Sequence, residues 1–244
     1  MLGYAYGVRP GKYRLPRGAE WRYLLIFALL NTTIYLGAFV LAMEQVSAGI
    51  GSLAIATNPL FISLLSAIWL RRPLRWYEAI GLFLGLAGVG VATYPLLQHS
   101  HATVPGLLIL FTGMLSVSAA TVYYARVQWV LPSLIINGWQ VFLGGLCLLP
   151  FTFFTADFSS TQLNLTFWSS VLWLVLPVSI ISLQLWFYLV KQDTVKAALW
   201  LFLCPIFGFI YAWALLNEPI TIYTLLGTLA VISGLYLAQR EKFR

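Results

Sequence analysis

The sequence predicts an all-α integral membrane protein: eight transmembrane helices forming an incomplete 5+5 inverted-topology repeat, with both termini cytoplasmic. Three observations predict it. The first is composition. Of 244 residues, 61% are hydrophobic and 9% charged, and mean hydropathy is +0.87. Ordinary soluble domains carry about 25% charged residues, so a soluble fold could not hide this much apolar surface. The second is the placement of Lys and Arg. All 14 fall at alternate connections of an eight-helix serpentine. The third is an internal match at a shift of 146 positions, in which prolines and glycines stay in register.

Residues 1–20 form a cytoplasmic segment with Arg9, Lys12, Arg14 and Arg17, and no apolar stretch long enough for a signal peptide. A crossing needs about 20 apolar residues. That length gives helices at 21–43, 47–70, 76–97, 104–126, 132–154, 166–190, 195–217 and 219–239. In lipid each backbone amide must be satisfied within its own element, which favours helices over open strands. The short alternating segments of a membrane barrel do not occur here.

Helix one carries Asn31, Thr32 and Tyr35 at mid-depth, and helix two carries Thr57 and Asn58 beside a central Pro59. The turn Arg71-Arg72-Pro73-Leu74-Arg75 follows. Helix three presents Gly81, Gly85 and Gly88 on one face. Helix four offers Ser116, Ser118, Thr121 and Tyr123 and ends at Arg126. Helix five opens with Asn137, Trp139 and Gln140 near the inner face, which could line the inner mouth and are read in preference as an anchor at the membrane interface. Helix six has Pro177 at its centre, then Ser182, Gln184 and Trp186. Lys191, Asp193 and Lys196 lie at the joint with helix seven, which carries Trp200, Cys204 and Pro205. After Asn217-Glu218-Pro219, helix eight carries Gly227 and Gly234, and Arg240, Lys242 and Arg244 close the chain. The positive-inside rule makes the side rich in Lys and Arg the cytoplasm.

Under the shift, Pro59 meets Pro205, Phe61 meets Phe207, and Pro73 meets Pro219. Tyr77 meets Tyr223, Gly81 meets Gly227, and Gly88 meets Gly234. The shift spans five helices, and an odd number reverses orientation. The same turn therefore reads LRRPLR on the inner face and LNEPIT on the outer face. Helix six maps onto helix one, whereas helices four and five have no counterpart in the first copy. Residues 21–97 make a partial first repeat of three helices, 104–239 a second of five, and 240–244 a cytoplasmic tail. The chain is expected to be a shortened relative of a ten-helix protein, with residues 1–9 as the possible tail of a missing helix.

The segments NPLFISLLSAIWLRRPLRWYEAIGLFLGLAGVG, 58–90, and CPIFGFIYAWALLNEPITIYTLLGTLAVISGLY, 204–236, resemble the EamA-like branch of the drug/metabolite transporter superfamily. The resemblance implies two five-helix inverted repeats, cytoplasmic termini, and movement of a small organic metabolite across the inner or plasma membrane. Arg72 departs from the family's usual Glu, which here appears only at Glu218.

Transporter sites favour broken helices near the midplane, at the seam of the repeats. The expected substrate-binding residues are Asn31, Tyr35, Asn58, Pro59, Tyr123, Gln184, Trp186, Trp200 and Pro205. The amides have several bonding groups to satisfy, the aromatics can stack on a solute, and the prolines free backbone carbonyls. No Asp or Glu lies at mid-membrane, so no deep acid relay is visible; Glu44 and Glu218 sit near the outer edge, Glu78 and Asp193 near the inner. Lys196 is read as a snorkelling interface residue.

Two histidines, His99 and His101, supply too few ligands for a metal. Cys147 and Cys204 form no disulfide framework, and no acid, base and nucleophile set points to an enzyme. No cofactor is expected. The bilayer is the expected surrounding, nucleic acid is not a partner, and the glycine faces of 76–97 and 219–239 could pack together or support a homodimer. The alternative to a transporter is a truncated, non-transporting membrane protein acting as an assembly partner.

Overall fold

A computed structural model describes residues 14–97, 102–155, 163–216 and 221–239. The turn at Asn217-Glu218-Pro219, His99, His101, the segment 1–9, and Arg9, Lys12, Arg240, Lys242 and Arg244 lie outside those residues. The described chain is helical, and its only β feature is one isolated antiparallel bridge between Val46 and Ala102.

Helical segments stand where the apolar runs stand. They are α1 (Ala19–Met43), α2 (Ala48–Trp69), α3 (Trp76–Leu97), α4 (Val104–Arg126), α5 (Ser133–Thr155), α6 (Leu165–Gln192), α7 (Thr194–Leu199 continuing through Trp200–Phe202 and Leu203–Leu216) and α8 (Ile222–Gln239). Five are long and apolar enough to cross a membrane; parts of α2, α7 and α8 form shorter apolar helices. Caps mark several starts. The Thr103 hydroxyl accepts from the Gly106 N–H at 3.1 Å, and the Asp193 carboxylate accepts from the Val195 and Lys196 N–H groups. Asn164, part of a glycosylation-like triplet in the sequence, caps α6 by accepting from the Phe167 N–H at 2.9 Å.

Three helices depart from regular α geometry. α1 widens into a π-helical segment at Leu29–Ile34, and α6 does so at Leu174–Ser182, around Pro177. Shifted by 146, the second segment falls on 28–36, overlapping the first. α7 tightens into a 3-10 turn at Trp200–Phe202, just ahead of Pro205. In α6 and α7 a proline cannot donate to the carbonyl four residues back and crowds it, and the helix absorbs this by changing its winding.

The glycines decide how α3 and α8 meet. A Cβ on Gly81 would lie 2.7 Å from the Gly234 carbonyl oxygen, and one on Gly88 would lie 2.7 Å from that of Gly227. The two helices therefore run backbone against backbone, with the Tyr94 and Tyr223 rings 5.3 Å apart and tilted at 46° at one end. This packing within the chain uses the small-residue faces. A dimer through these helices would have to use their outer sides, where Phe83 and Leu229 are exposed.

Contacts gather the described basic residues at one end of the bundle. Arg72 meets Asp193, Lys191 Nζ donates to the Val127 carbonyl at 2.7 Å beside Arg126, and Trp21 beside Arg22 packs on Trp139. Gln45 and Thr103, bonded at 2.9 Å, mark the other end.

Candidate functional site

The two π-helical segments are the centre of the candidate site. A π turn leaves carbonyls out of the regular ladder, and they need other donors. In α1 the Leu30 carbonyl accepts from Ser116 of α4 at 2.8 Å, and Thr33 Oγ1 donates to the Gly144 carbonyl of α5 at 3.0 Å. Gly144 permits that approach, because a Cβ there would stand 2.7 Å from Thr32 Cγ2. In α6 the Ser179 carbonyl accepts from Asn137 Nδ2 at 2.7 Å.

An amide ladder joins the two. Gln140 Nε2 donates to Asn137 Oδ1 at 3.0 Å, and Gln140 Oε1 accepts from Thr32 Oγ1 at 2.7 Å and from Asn31 Nδ2 at 3.3 Å. Asn137 and Gln140 are both fully buried. This corrects the expectation that they anchor helix five at the membrane interface. They lie three apart on one helical face, so both turn inward together. Each satisfies its amide between helices, as a polar group must in an apolar interior. Trp139, on another face, keeps a half-buried position against Trp21.

The nine predicted residues do not share one enclosed cavity. Asn31 joins the ladder. Asn58 is buried on α2 and accepts from Ser118 of α4 at 3.3 Å; Pro59 beside it is also buried. Gln184 Oε1 accepts from Ser133 Oγ at 2.6 Å and its Nε2 donates to the Ser133 carbonyl, tying α6 to α5. Tyr35 is half-buried near Phe39 in the apolar cluster of α1, α2 and α4. Tyr123 is half-buried, with a hydroxyl that finds no partner among the described residues. Trp186 packs between the two clusters at the basic end. Pro205 is buried, while Trp200 is exposed on the 3-10 turn. A groove of about 490 Å³ between α1, α4 and α5 is lined by Gly37, Thr112 and Cys147 among others, and contains none of the nine.

Single hydroxyls such as Thr32 and Ser118 usually make ordinary packing contacts, and Ser133 carries no signal in the sequence; each completes an amide. Glu78 was expected at the inner edge. It lies at that end, but fully buried, where Arg72 donates to both its oxygens at 2.7 and 3.1 Å. Burial pulls the Arg72 guanidinium toward its neutral form, but bonds to Glu78 and Asp193 outweigh it and hold the pKa above the ordinary arginine value. Among the described residues no cluster of His, Cys, Asp or Glu could hold a metal.

Comparison with known proteins agrees with this architecture. The EamA-like transporter family matches residues 5–94 and 104–239. The chain is 28% identical over 233 residues to the uncharacterized transporter YvbV of Bacillus subtilis (strain 168), covering 95% of this chain and 76% of that protein. It is 26% identical to Protein PecM of Dickeya dadantii (strain 3937), covering 94% of this chain and 77% of that one. A solved crystal structure shares the fold at a TM-score of 0.78 and 20% identity, over 98% of this chain and 82% of that one. The protein is thus a multi-pass integral membrane protein and belongs to the EamA-like transporter family of the drug/metabolite transporter superfamily.

Proposed function

We propose that the protein is a secondary transporter that moves a small organic metabolite, an amino acid, amine or similar solute, across the inner or plasma membrane by alternating access. Eight helices cross, both termini lie in the cytoplasm, and residues 21–97 and 104–239 act as two inverted repeats, flanked by the segments 1–20 and 240–244.

The observation that carries this reading is the pair of π-helical segments. They occupy the middle of α1 and α6, helices related by the 146-residue shift, and the Asn31–Gln140–Asn137 ladder ties one to the other. Irregular backbone at mid-membrane survives only where protein or a water-filled cavity satisfies it, and inverted-repeat transporters place substrate at such breaks. The nearby groups are neutral amides and hydroxyls, which suit a solute recognised by hydrogen bonding and aromatic stacking. Asn58, Pro59, Tyr123, Gln184, Trp186 and Trp200 would meet substrate when their packing loosens, with Tyr35 and Pro205 shaping the outer side. A homodimer, if formed, would use the outer faces of α3 and α8.

Flux of radiolabelled amino acids and amines into proteoliposomes tests the reading. Wild type should carry at least one of them, and Asn58→Ala and Gln184→Ala should each lower the rate about tenfold, by removing one well-placed polar contact. Unchanged flux in both variants would remove these residues from the site. No flux of any solute by well-folded wild type would favour the non-transporting alternative.

A further inference from the structure

Arg72 stands where two parts of the fold meet. Its Nη2 donates to Glu78 Oε1 and to Asp193 Oδ2, both at 2.7 Å. Glu78 opens α3 and also accepts from the Arg75 N–H, so it is fixed within the first repeat. Asp193 is the N-cap of α7, in the second repeat. One guanidinium thus spans the two halves, with an anchor on one side and a helix start on the other. The backbone is shaped for this. Arg71 adopts φ of 52°, a left-handed conformation that is strained for a non-glycine residue. The Arg72 N–H then turns back toward the Ser66 carbonyl at 3.4 Å.

Above this ion pair, Ile62 of α2, Val122 of α4 and Ala198 of α7 close into one buried cluster, flanked by Leu70 and Trp186. The basic end is therefore sealed by apolar packing and fastened by charge. Toward the other end of the second repeat, Leu165–Trp173 buries no residue, and Phe207, Ile210 and Tyr211 of α7 are exposed.

Resting on the transporter reading above, we propose that Arg72 and Asp193 form a cytoplasmic latch. The structure is the inward-closed state, and opening to the cytoplasm breaks the Arg72–Asp193 bond while Glu78 keeps Arg72 on the first repeat. The bond crosses the seam and is only partly buried, with side-chain exposures of 24% and 27%, so water can replace it when the halves part. Glu78, fully buried, cannot lose its partner so cheaply. Arg72 differs from the acid at the symmetry-related position, Glu218. The latch is thus not repeated in sequence at the symmetry-related position, and it biases the resting population toward closure at the cytoplasmic end.

Thiol labelling tests this in full-length protein. In a Cys147→Ser, Cys204→Ser background, a single reporter is introduced as Ala198→Cys or, nearly isosterically, Ser66→Cys, both fully buried positions. A membrane-impermeant maleimide is applied to the cytoplasmic face of inside-out vesicles. Labelling should be slow with the latch intact and rise roughly tenfold with Asp193→Asn, which keeps an N-cap oxygen while removing the charge. Arg72→Met should do the same, and Arg72→Lys should fall between. If labelling rates in Asp193→Asn and Arg72→Met match the parent while size-exclusion profiles stay monodisperse, the latch is wrong. Labelling needs no substrate, so the two readings fail separately. A responsive reporter without any flux would keep the latch and sink the transport reading. Flux with an indifferent reporter would do the reverse.

Discussion

At the scale of single residues, stability turns on buried amides. Gln140→Leu would strip Asn137, Thr32 and Asn31 of a shared partner inside the bundle, and an orphaned buried polar group costs about 1–3 kcal/mol. The variant should unfold at lower temperature in detergent than wild type. The cap at Asn164 offers a second measure. Asn164→Ala should loosen the first turn of α6 by about 1 kcal/mol, seen as faster hydrogen exchange at Phe167, and Asn164→Asp should retain protection. These residues also show what could be read in advance. Asn31, Asn58 and Gln184 stood out because an amide in an apolar run demands partners. The partners did not stand out, because Ser and Thr are common in membrane helices and periodicity does not say which helix lies opposite. Asn137 and Gln140 were misplaced because depth was judged from distance along the chain, while burial depends on the angular face they share.

Among the elements, helix positions were legible almost to the residue, since apolar length alone sets them in lipid. Their internal breaks were only half legible. Pro177 and Pro205 announced irregular winding, but α1 has a π segment with no proline in it, where Ser116 and Gly144 of neighbouring helices hydrogen-bond to it. The α3–α8 contact gives the sharpest element-scale prediction. Gly88→Leu or Gly227→Leu would drive a side chain into the opposing backbone and should abolish the folded yield, read as loss of a monodisperse peak. Gly90→Ala, where an added Cβ meets nothing within 4 Å, should leave the yield unchanged.

For the whole molecule, the governing property is the separation of charge between the two ends. The sequence partition of Lys and Arg predicts that the 71–75 turn and the start of α6 lie on opposite sides of the bilayer. Reporter cysteines introduced as Leu74→Cys and Leu163→Cys, both at exposed positions, should be labelled from the cytoplasm and from outside, respectively. Labelling of both from one side would undo the inverted repeat and the transport mechanism built on it. The all-helical membrane architecture was legible because apolar runs of bilayer length satisfy their backbone in lipid only as helices. The ion pair across the seam was not, since Arg72 and Asp193 are far apart in sequence and only the folded chain brings them together.

The glycine-to-glycine seam between α3 and α8 has a consequence for how the protein is made. More than a hundred residues separate the end of α3 at Leu97 from the start of α8 at Ile222. Translation proceeds at about 5–20 residues per second, so α3 enters the bilayer on the order of ten seconds before its mate exists. During that wait its bare backbone stripe must rest against lipid, the insertion machinery or a transient neighbour. A ribosome that pauses or terminates before Ile222 would strand a helix that has no lasting place to pack.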